Sequence, residues 1–249
     1  MQKRVAIVTG GSRGIGRAIV DRFLADDVTV LTCGRTSRPG DLPADALWVR
    51  ADVGNPGDAA RIVSEAKHRF GEIVILVNNA GVQVEKTVPE TTDADWDLVV
   101  GVNARGTFNM CRAVLPEMES SGGVIVNIGS ISGLVSDPSM AIYNATKAFV
   151  HSLTRSIAID HGPRVRCNAV SPGWIVTTMA EDAFALAKNP SAAKQDALAR
   201  HASRRLGKPE DVANIVAWLA SDQAEFVTGQ CFTCDGGLTA ASPLQPRLF

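Results

Sequence analysis

The chain has 249 residues, which is enough for one large α/β domain with a sizeable core. Hydrophobic residues make up 45% and charged residues 20%, and this balance excludes an intrinsically disordered chain. The formal net charge of −1 gives no basic field that would favour nucleic acid or an anionic membrane surface. The five cysteines are odd in number and no apolar run reaches the roughly 18 residues of a membrane span, so we expect a cytoplasmic protein without nucleic-acid or membrane partners.

Short apolar runs rich in Val and Ile alternate along the chain with segments of helix length. The runs predict parallel strands buried on both faces, at residues 5–8, 28–31, 47–49, 73–77, 124–128 and 165–170, with a last strand at 231–234. Spaced apolar positions predict the intervening helices, at residues 14–26, 56–70, 93–118 and 140–161. This alternation predicts an α/β fold of a single domain over residues 1–249, a doubly wound, Rossmann-like parallel sheet with helices on both faces.

Two segments depart from the regular alternation. The Pro- and Gly-rich stretch 38–45 stands where a crossover helix often lies, so we expect an irregular loop between the second and third strands. The Ala-rich segment 177–204 follows the sixth strand and predicts a mobile helical flap over the substrate. Within it, Met179, Phe184 and Leu186 are candidates for an apolar lid.

The first strand runs into a glycine-rich turn, Thr9-Gly10-Gly11-Ser12-Arg13-Gly14-Ile15-Gly16. In such a turn, backbone N–H groups and the helix dipole meet a pyrophosphate, and glycines stand where a Cβ would obstruct it. A P-loop needs Lys and then Ser or Thr after the last glycine, whereas this chain has Arg17 and Ala18, which disfavours an NTPase. By itself the turn is equally compatible with a purely structural role in packing helix on strand.

The end of the second strand bears on the choice between NAD and NADP. An acid about 20 residues beyond the glycines usually bonds the ribose 2′-hydroxyl of NAD, but the window 33–38 contains none. Arg35, assisted by Arg13, offers a charge-assisted partner for a 2′-phosphate, which favours NADP, with NAD as the alternative. These arginines are also compatible with solvated surface charges. Asp52, after the third strand, is a candidate for the adenine edge or for the cap of the helix that begins near Pro56.

The chain has one tyrosine, Tyr143, and Lys147 follows it four residues later on the same face of a predicted helix. A phenol with a pKa of about 10 is a poor acid or base at neutral pH, and a nearby ammonium lowers that pKa. Ser130 ends the fifth predicted strand, where its hydroxyl can hydrogen-bond a carbonyl or alcohol oxygen. Alone, the pair is equally compatible with a half-buried aromatic beside a snorkelling lysine.

Taken together in their order and spacing, these motifs resemble those of the short-chain dehydrogenase/reductase family. The resemblance covers nearly the whole chain and rests on Thr9 to Gly16, Asn78-Asn79-Ala80-Gly81, Asn103, Ser130, Tyr143 to Lys147, Pro172-Gly173 and Asp235-Gly236-Gly237. It implies that Tyr143 is the general acid/base and that Ser130 orients the reacting oxygen. It further implies that Lys147 binds the nicotinamide ribose and lowers the pKa of Tyr143, and that Asn103 holds a water connecting Lys147 to solvent.

The resemblance also implies the contacts of a dinucleotide and an assembly. The pyrophosphate would be lined by Gly10, Ser12, Arg13, Ile15 and Gly16, and the adenine side would be framed by Asp52, Val53 and Asn79. Ile175 would meet the nicotinamide carboxamide, and Thr177 would touch the cofactor as well. The family further implies a homotetramer built from the helices at 93–118 and 140–161.

The features together favour an NADP(H)-dependent oxidoreductase that interconverts a ketone and a secondary alcohol on a small free substrate. A second hypothesis is a 3-oxoacyl reductase that acts on acyl carrier protein, whose acidity favours a basic docking surface. Against it, the segment 116–123 is acidic, although Arg204 and Arg205 offer a basic patch elsewhere. A third hypothesis, from another class, is a non-catalytic dinucleotide-binding regulatory protein. The four histidines form no ligand-spaced pair, so no metal is expected.

Overall fold

Seven parallel strands form one sheet in the order β3-β2-β1-β4-β5-β6-β7 in a computed structural model, which describes residues 3–240. The strands are β1 (Val5–Thr9), β2 (Thr29–Gly34), β3 (Leu47–Arg50), β4 (Ile73–Asn78), β5 (Gly123–Ile128), β6 (Val165–Pro172) and β7 (Cys231–Cys234). The predicted strands are all present, with ends displaced by at most three residues, the largest difference being at the end of β2. The doubly wound, Rossmann-like fold is therefore confirmed.

The apolar runs became strands because both faces of the sheet are covered. Along β1, Val5 and Ile7 belong to one core and Ala6 and Val8 to the other, as expected when successive side chains point to opposite faces of a strand. One core includes the buried sides of α2 (Pro56–Phe70), α4 (Thr107–Ser121) and α5 (Ala141–Asp160). The opposite core includes those of α1 (Gly14–Ala25) and α8 (Pro209–Leu219).

The region predicted as one helix at 93–118 differs from the expectation. It consists of α3 (Asp93–Val99), a π-helical turn (Val100–Gly106) and α4. The wider turn changes which side chains face inward, and it places Asn103 in a buried position below the sheet edge that carries the site. Apolar spacing in the sequence does not distinguish one widened turn from a regular helix.

The loops between the strands and helices largely agree with the expectations from the sequence. No helix joins β2 to β3, and the loop between them packs Leu42 and Ala46 into a core. The cap of α2 is Asn55, whose side chain accepts hydrogen bonds from Gly57 N and Asp58 N, so the alternative that Asp52 caps this helix is wrong. The segment 177–204 contains α6 (Thr178–Leu186) and α7 (Pro190–Arg200).

The strand order places one crevice at the centre of the molecule. β1 pairs with β2 on one side and with β4 on the other, so the chain winds outward in both directions from these strands. At such a switch point the loops at the carboxyl ends of the strands separate and leave a ligand cleft. None of the helices among residues 3–240 combines the length and apolar character that a membrane span requires.

Candidate active site

A cavity of about 340 Å³ opens at the carboxyl ends of the strands. It is lined by every site residue predicted from the sequence except Asn103: Gly10, Ser12, Arg13, Ile15, Gly16, Arg35, Asp52, Val53, Asn79, Ser130, Tyr143, Lys147, Ile175 and Thr177. Apart from Tyr143 and Lys147, which lie on α5, these residues follow β1 to β6 in turn, and parallel strands bring their ends to one edge of the sheet. Residues spread over most of the chain therefore meet at one site.

The glycine-rich turn is held by hydrogen bonds to the residues that follow the neighbouring strand β4. Asn79, after β4, donates from Nδ2 to the carbonyl oxygens of Thr9 (2.9 Å) and Gly10 (3.1 Å). The Thr9 hydroxyl oxygen in turn accepts from the backbone N–H groups of Asn79 and Ala80, both at 3.0 Å. The Asn79 amide thus fastens the turn, a contact that the sequence did not predict.

The turn fits a dinucleotide in its backbone. Gly10 and Gly14 have φ of +71° and +57°, which L side chains rarely adopt. A Cβ at Gly16 would overlap the Gly10 carbonyl and the Asn79 amide, so the helix approaches the turn closely only because this residue is glycine. The side chain of Arg13, the N-cap residue of α1, makes no capping hydrogen bond, so the N–H groups of the first turn are available to an anion in the cavity.

The end of the cavity next to the glycine-rich turn, here called the nucleotide end, is lined by more positively than negatively charged side chains. Arg13 and Arg35 line it, as does Asp52, whose Oδ1 accepts from Gly54 N at 2.9 Å. Arg38 does not line it, because its Nη2 donates to the carbonyls of Leu42 and Pro43. Among residues 3–240, the guanidinium groups that line this end are therefore those of Arg13 and Arg35.

Ser130, Tyr143 and Lys147 come together at the other end. Ser130 ends β5 and begins a short 3₁₀ turn, whereas Tyr143 and Lys147 occupy successive turns of α5. The Lys147 Nζ atom lies 5.6 Å from the centre of the Tyr143 ring and donates to the Ile128 carbonyl at 2.9 Å. Burial lowers the pKa of Lys147 to about 8, so this ammonium stays mostly charged at neutral pH.

The pKa of Tyr143 departs from the expectation. Burial raises it to about 12, the charge of Asp137 also raises it, and a hydrogen bond with the Ser130 side chain lowers it. The net shift is upward, whereas Lys147 was expected to lower this pKa. The desolvation of the phenolate outweighs the neighbouring ammonium.

Asn103 stands behind the cavity instead of lining it. Its side chain exchanges two hydrogen bonds with the Val82 backbone, at 2.9 and 2.8 Å, and donates to the Thr146 hydroxyl at 3.2 Å. Thr146 precedes Lys147 on α5. Asn103 therefore ties the loop after β4 to the helix that carries Tyr143 and Lys147.

Polar residues that the sequence analysis missed line the end of the cavity that contains Ser130 and Tyr143, here called the substrate end. The Ser132 hydroxyl contacts Ser130 Oγ at 3.0 Å and donates to Asp137 Oδ2 at 2.6 Å. Gln83 also lines this end. Ser132 and Asp137 could have been identified as candidates from the sequence, because they lie in the short segment between Ser130 and Tyr143. A loop that joins two site residues passes close to the site.

The predicted apolar lid is only partly present. Met179 lines the cavity, and Phe184 stacks on Trp174 with ring centres 4.7 Å apart. Leu186 is 71% exposed and does not line the cavity, so its assignment to the lid is wrong. Trp174 itself lines the cavity.

Comparison with known proteins places the chain in a family. Residues 10–239 match the family model described as Enoyl-(Acyl carrier protein) reductase. The chain is 39% identical to 2-(R)-hydroxypropyl-CoM dehydrogenase of Xanthobacter autotrophicus, over 95% of this chain and 99% of that protein. It belongs to the short-chain dehydrogenase/reductase family.

Further relatives also match this chain over nearly its whole length. The NADP-dependent (R)-specific alcohol dehydrogenase of Lentilactobacillus kefiri and a 3-oxoacyl-[acyl-carrier-protein] reductase of Thermotoga maritima are each 34% identical, over 96% of this chain and 98% of theirs. The ligand-free structure of aldohexose dehydrogenase from Thermoplasma acidophilum superposes with a TM-score of 0.93 at 34% identity, covering 98% of this chain and 97% of that one. The protein is thus a dinucleotide-binding oxidoreductase of alcohols and ketones.

Proposed function

We propose that the protein interconverts a ketone and a secondary alcohol on a small free substrate, with NADP(H) as the cofactor. The observation that carries the proposal is the convergence of Ser130, Tyr143 and Lys147 in the cavity that also holds the glycine turn. A merely dinucleotide-binding regulator has no need of a proton-transfer pair at the far end of its nucleotide site. This convergence argues against the non-catalytic alternative.

In this proposal each residue acts at a stated atom. The Tyr143 hydroxyl donates its proton to the ketone oxygen during reduction and recovers it from the alcohol during oxidation, and the bound cofactor supplies or accepts the hydride. The high pKa of Tyr143 keeps the phenol protonated at neutral pH, as reduction requires. The Ser130 hydroxyl, which donates its one proton to Ser132 Oγ in the free protein, turns it to the same substrate oxygen and so fixes the distance of that oxygen from the phenol.

Lys147 and Asn103 support the phenol. The Lys147 ammonium stabilises the phenolate that remains after proton transfer and offers N–H donors to the nicotinamide ribose. Asn103 holds the loop after β4 against α5 through Val82 and Thr146, and this contact keeps Lys147 in position. The water between Lys147 and solvent that the family resemblance implies would need a group other than the Asn103 amide N–H donors, since both of these are already used. Gly10, Ser12, Ile15 and Gly16 hold the pyrophosphate, while Val53, Asn79, Ile175 and Thr177 bound the rest of the cofactor.

The preference for NADP rests on charge. Arg13 and Arg35 line the cavity beyond β1 and β2, and no acid ends β2 where it would meet a ribose hydroxyl. A 2′-phosphate gains charge-assisted hydrogen bonds from these guanidinium groups. One relative carries NADP dependence in its name, which supports the same choice.

Acyl carrier protein remains the second candidate partner, because a relative and the matching family model carry it in their names. The charges disfavour it. The acidic segment 116–123 precedes the amino end of β5, on the edge of the sheet opposite the cavity, and Glu117 pairs with Lys67 at 2.6 Å, so this segment does not bear on docking at the cavity. Of the two arginines of the basic patch, Arg205 pairs with Asp211 at 2.6 Å and Arg204 donates to the Ala199 carbonyl. An acidic carrier gains little from such a rim.

We also propose a homotetramer in the cytoplasm. The helices expected at its interface expose large apolar side chains, including Phe108 on α4 and Phe149 on α5. All five cysteines are free, and three of them are buried, as suits a reducing compartment.

The proposed function is tested by following absorbance of the reduced cofactor over a panel of free ketones, secondary alcohols and polyols, with NADP(H) and NAD(H) in parallel. A 3-oxoacyl carrier-protein thioester belongs in the same panel. We expect turnover of free substrates with a higher kcat/KM for the phosphorylated cofactor. Cofactor binding without any turnover would favour the regulatory alternative, and a far higher kcat/KM for the thioester would favour the carrier-dependent one.

A further inference from the structure

The substrate end of the cavity carries a carboxylate that the proposed proton transfer does not use. Asp137 lies in the loop between β5 and α5, six residues before Tyr143, and its half-buried side chain lines the cavity. None of the ion pairs formed among residues 3–240 involves it. Its carboxylate therefore lines the cavity with no ammonium or guanidinium of the described residues at ion-pair distance.

The cations of the described residues that line the cavity or lie near it do not pair with Asp137. Arg13, Arg35 and Asp52 line the nucleotide end, and Lys147 lies buried beside Tyr143 with its Nζ on the Ile128 carbonyl. The Lys86 ammonium is paired with Asp95 at 2.6 Å.

A second acid lies close to the same end of the cavity. The Gln83 amide lines the cavity, and its Nε2 donates to Glu85 Oε1 at 3.3 Å. The substrate thus approaches an acidic end, and like charges disfavour the binding of an anion there.

Asp137 is also close to the reacting atoms. A carboxylate accepts hydrogen bonds only, so Ser132 must donate to Asp137 Oδ2, and Ser132 in turn accepts from Ser130. Asp137 is therefore two hydrogen bonds away from the serine that orients the substrate oxygen. Its other oxygen, Oδ1, accepts no hydrogen bond from the described residues and is not closed off from solvent.

We infer that Asp137 selects the substrate class, favouring neutral alcohols and ketones that carry a second hydroxyl near the reacting carbon and rejecting those with an anionic group there. The inference rests on the proposed function and narrows it. A substrate hydroxyl donates to Oδ1, whereas a carboxylate, sulfonate or phosphate in the same place would meet an uncompensated negative charge.

The same side chain also helps to shape the loop, so the test must separate the two roles. The Asn144 side chain donates to the backbone carbonyl of Asp137 at 3.1 Å, and a substitution of the Asp137 side chain does not remove this contact. Asp137→Asn keeps the size of the side chain and one oxygen that accepts from Ser132. It removes the charge while leaving the hydrogen bonds of the loop in place.

The experiment compares three racemic four-carbon alcohols that share one reacting centre: 2-butanol, 1,3-butanediol and 3-hydroxybutanoate. Their kcat/KM values are measured with NADP⁺ for the wild type and for Asp137→Asn. In the wild type we expect the diol to exceed 2-butanol, and 3-hydroxybutanoate to fall about tenfold or more below it. In Asp137→Asn the ratio of 3-hydroxybutanoate to 2-butanol should rise about tenfold, and the ratio of diol to 2-butanol should fall.

Ratios within one variant cancel any general loss of active enzyme. The control is Asp45→Asn, which removes the same charge from an exposed residue outside the cavity and should leave both ratios unchanged. Wild-type oxidation of 3-hydroxybutanoate as efficient as that of the diol, or ratios unmoved by Asp137→Asn, would overturn the inference while leaving the proposed function standing. Oxidation of none of the three alcohols would instead contradict the proposed function and the inference with it.

Discussion

Burial has opposite effects on the pKa values of Tyr143 and Lys147, the two residues of the proposed proton-transfer pair. It lowers the pKa of Lys147 to about 8 and raises that of Tyr143 to about 12, because in each case the charged form loses its hydration. The folded chain therefore loses the lysine proton earlier than the unfolded chain does, and the tyrosine proton later. These shifts link the stability of the fold to pH.

We expect Lys147→Met to stabilise the fold at neutral pH, and to do so less as the pH rises. Between the folded pKa near 8 and the unfolded value of 10.5, the unfolded chain binds more protons, so the wild type gains stability with increasing pH. The Tyr143 shift acts in the opposite direction, but only above its unfolded value of 10.0. The advantage of Lys147→Met in the free energy of unfolding should thus shrink by about 2 kcal/mol from pH 7 to pH 9.5.

Denaturant unfolding of both proteins at the two pH values measures this change. Lys194→Met, on an exposed position of α7, is the control and should show the same difference from the wild type at both. An advantage of Lys147→Met that is independent of pH would show that this lysine keeps its ordinary pKa.

Arg35 is the residue that tests cofactor choice. Arg35→Ala should raise the KM for NADPH about tenfold and leave the KM for NADH nearly unchanged, because only the former carries the 2′-phosphate. Arg38→Ala serves as the matched control, since its guanidinium is held by the Leu42 and Pro43 carbonyls. Equal losses with both cofactors, or a wild type that prefers NADH, would contradict the assignment.

At the scale of elements, the glycine turn depends on the close approach of α1 to β1 and β4. Gly16→Ala would drive a Cβ into the Gly10 carbonyl and the Asn79 amide, displacing the hydrogen bonds that hold the turn. We expect the Kd for NADPH to rise about tenfold or more and Tm to fall. Gly40→Ala is the control, because a Cβ there meets nothing within 4 Å. Calorimetric titration gives the affinity; unchanged binding by Gly16→Ala would rule out this turn as the pyrophosphate site.

The elements also show where sequence reasoning succeeds. The strands were predictable because a parallel sheet covered on both faces leaves uninterrupted apolar runs, and α2 was predicted with its observed limits, 56–70. The π-helical turn at Val100–Gly106 was not, since one extra residue in a turn hardly alters apolar spacing. The helix α8 was also missed, although its Pro209 and the acidic first turn after it are typical of a helix start.

In the candidate site, too, some residues were predictable from the sequence and others were not. Ser130, Tyr143 and Lys147 were found because their types and spacing carry the chemistry. Asp137 and Ser132 were not, because their role arises from the way the loop folds back on Ser130, and that depends on tertiary contacts. The pKa of Tyr143 also depends on burial, which the i, i+4 spacing with Lys147 does not reveal.

For the whole molecule, the exposed apolar side chains bear on assembly. Phe108 is 44% exposed and Phe149 41%, each on a helix proposed for the tetramer interface. The double variant Phe108→Glu/Phe149→Glu should dissociate the tetramer, since burying two carboxylates in an apolar contact is costly. Light scattering after gel filtration measures the mass. Val88→Glu, on an exposed 3₁₀ turn, is the control; a monomeric wild type would contradict the proposed assembly.

The central claim is that Tyr143 transfers the proton in an NADP(H)-dependent reaction between ketones and alcohols, and Tyr143→Phe tests it most directly. This change removes the hydroxyl with little change in volume, so NADPH titrated by fluorescence should bind with a nearly unchanged Kd. The account predicts that kcat for ketone reduction falls by roughly two to four orders of magnitude. A Phe variant that binds NADPH and keeps near-normal kcat on a wild-type substrate would contradict it.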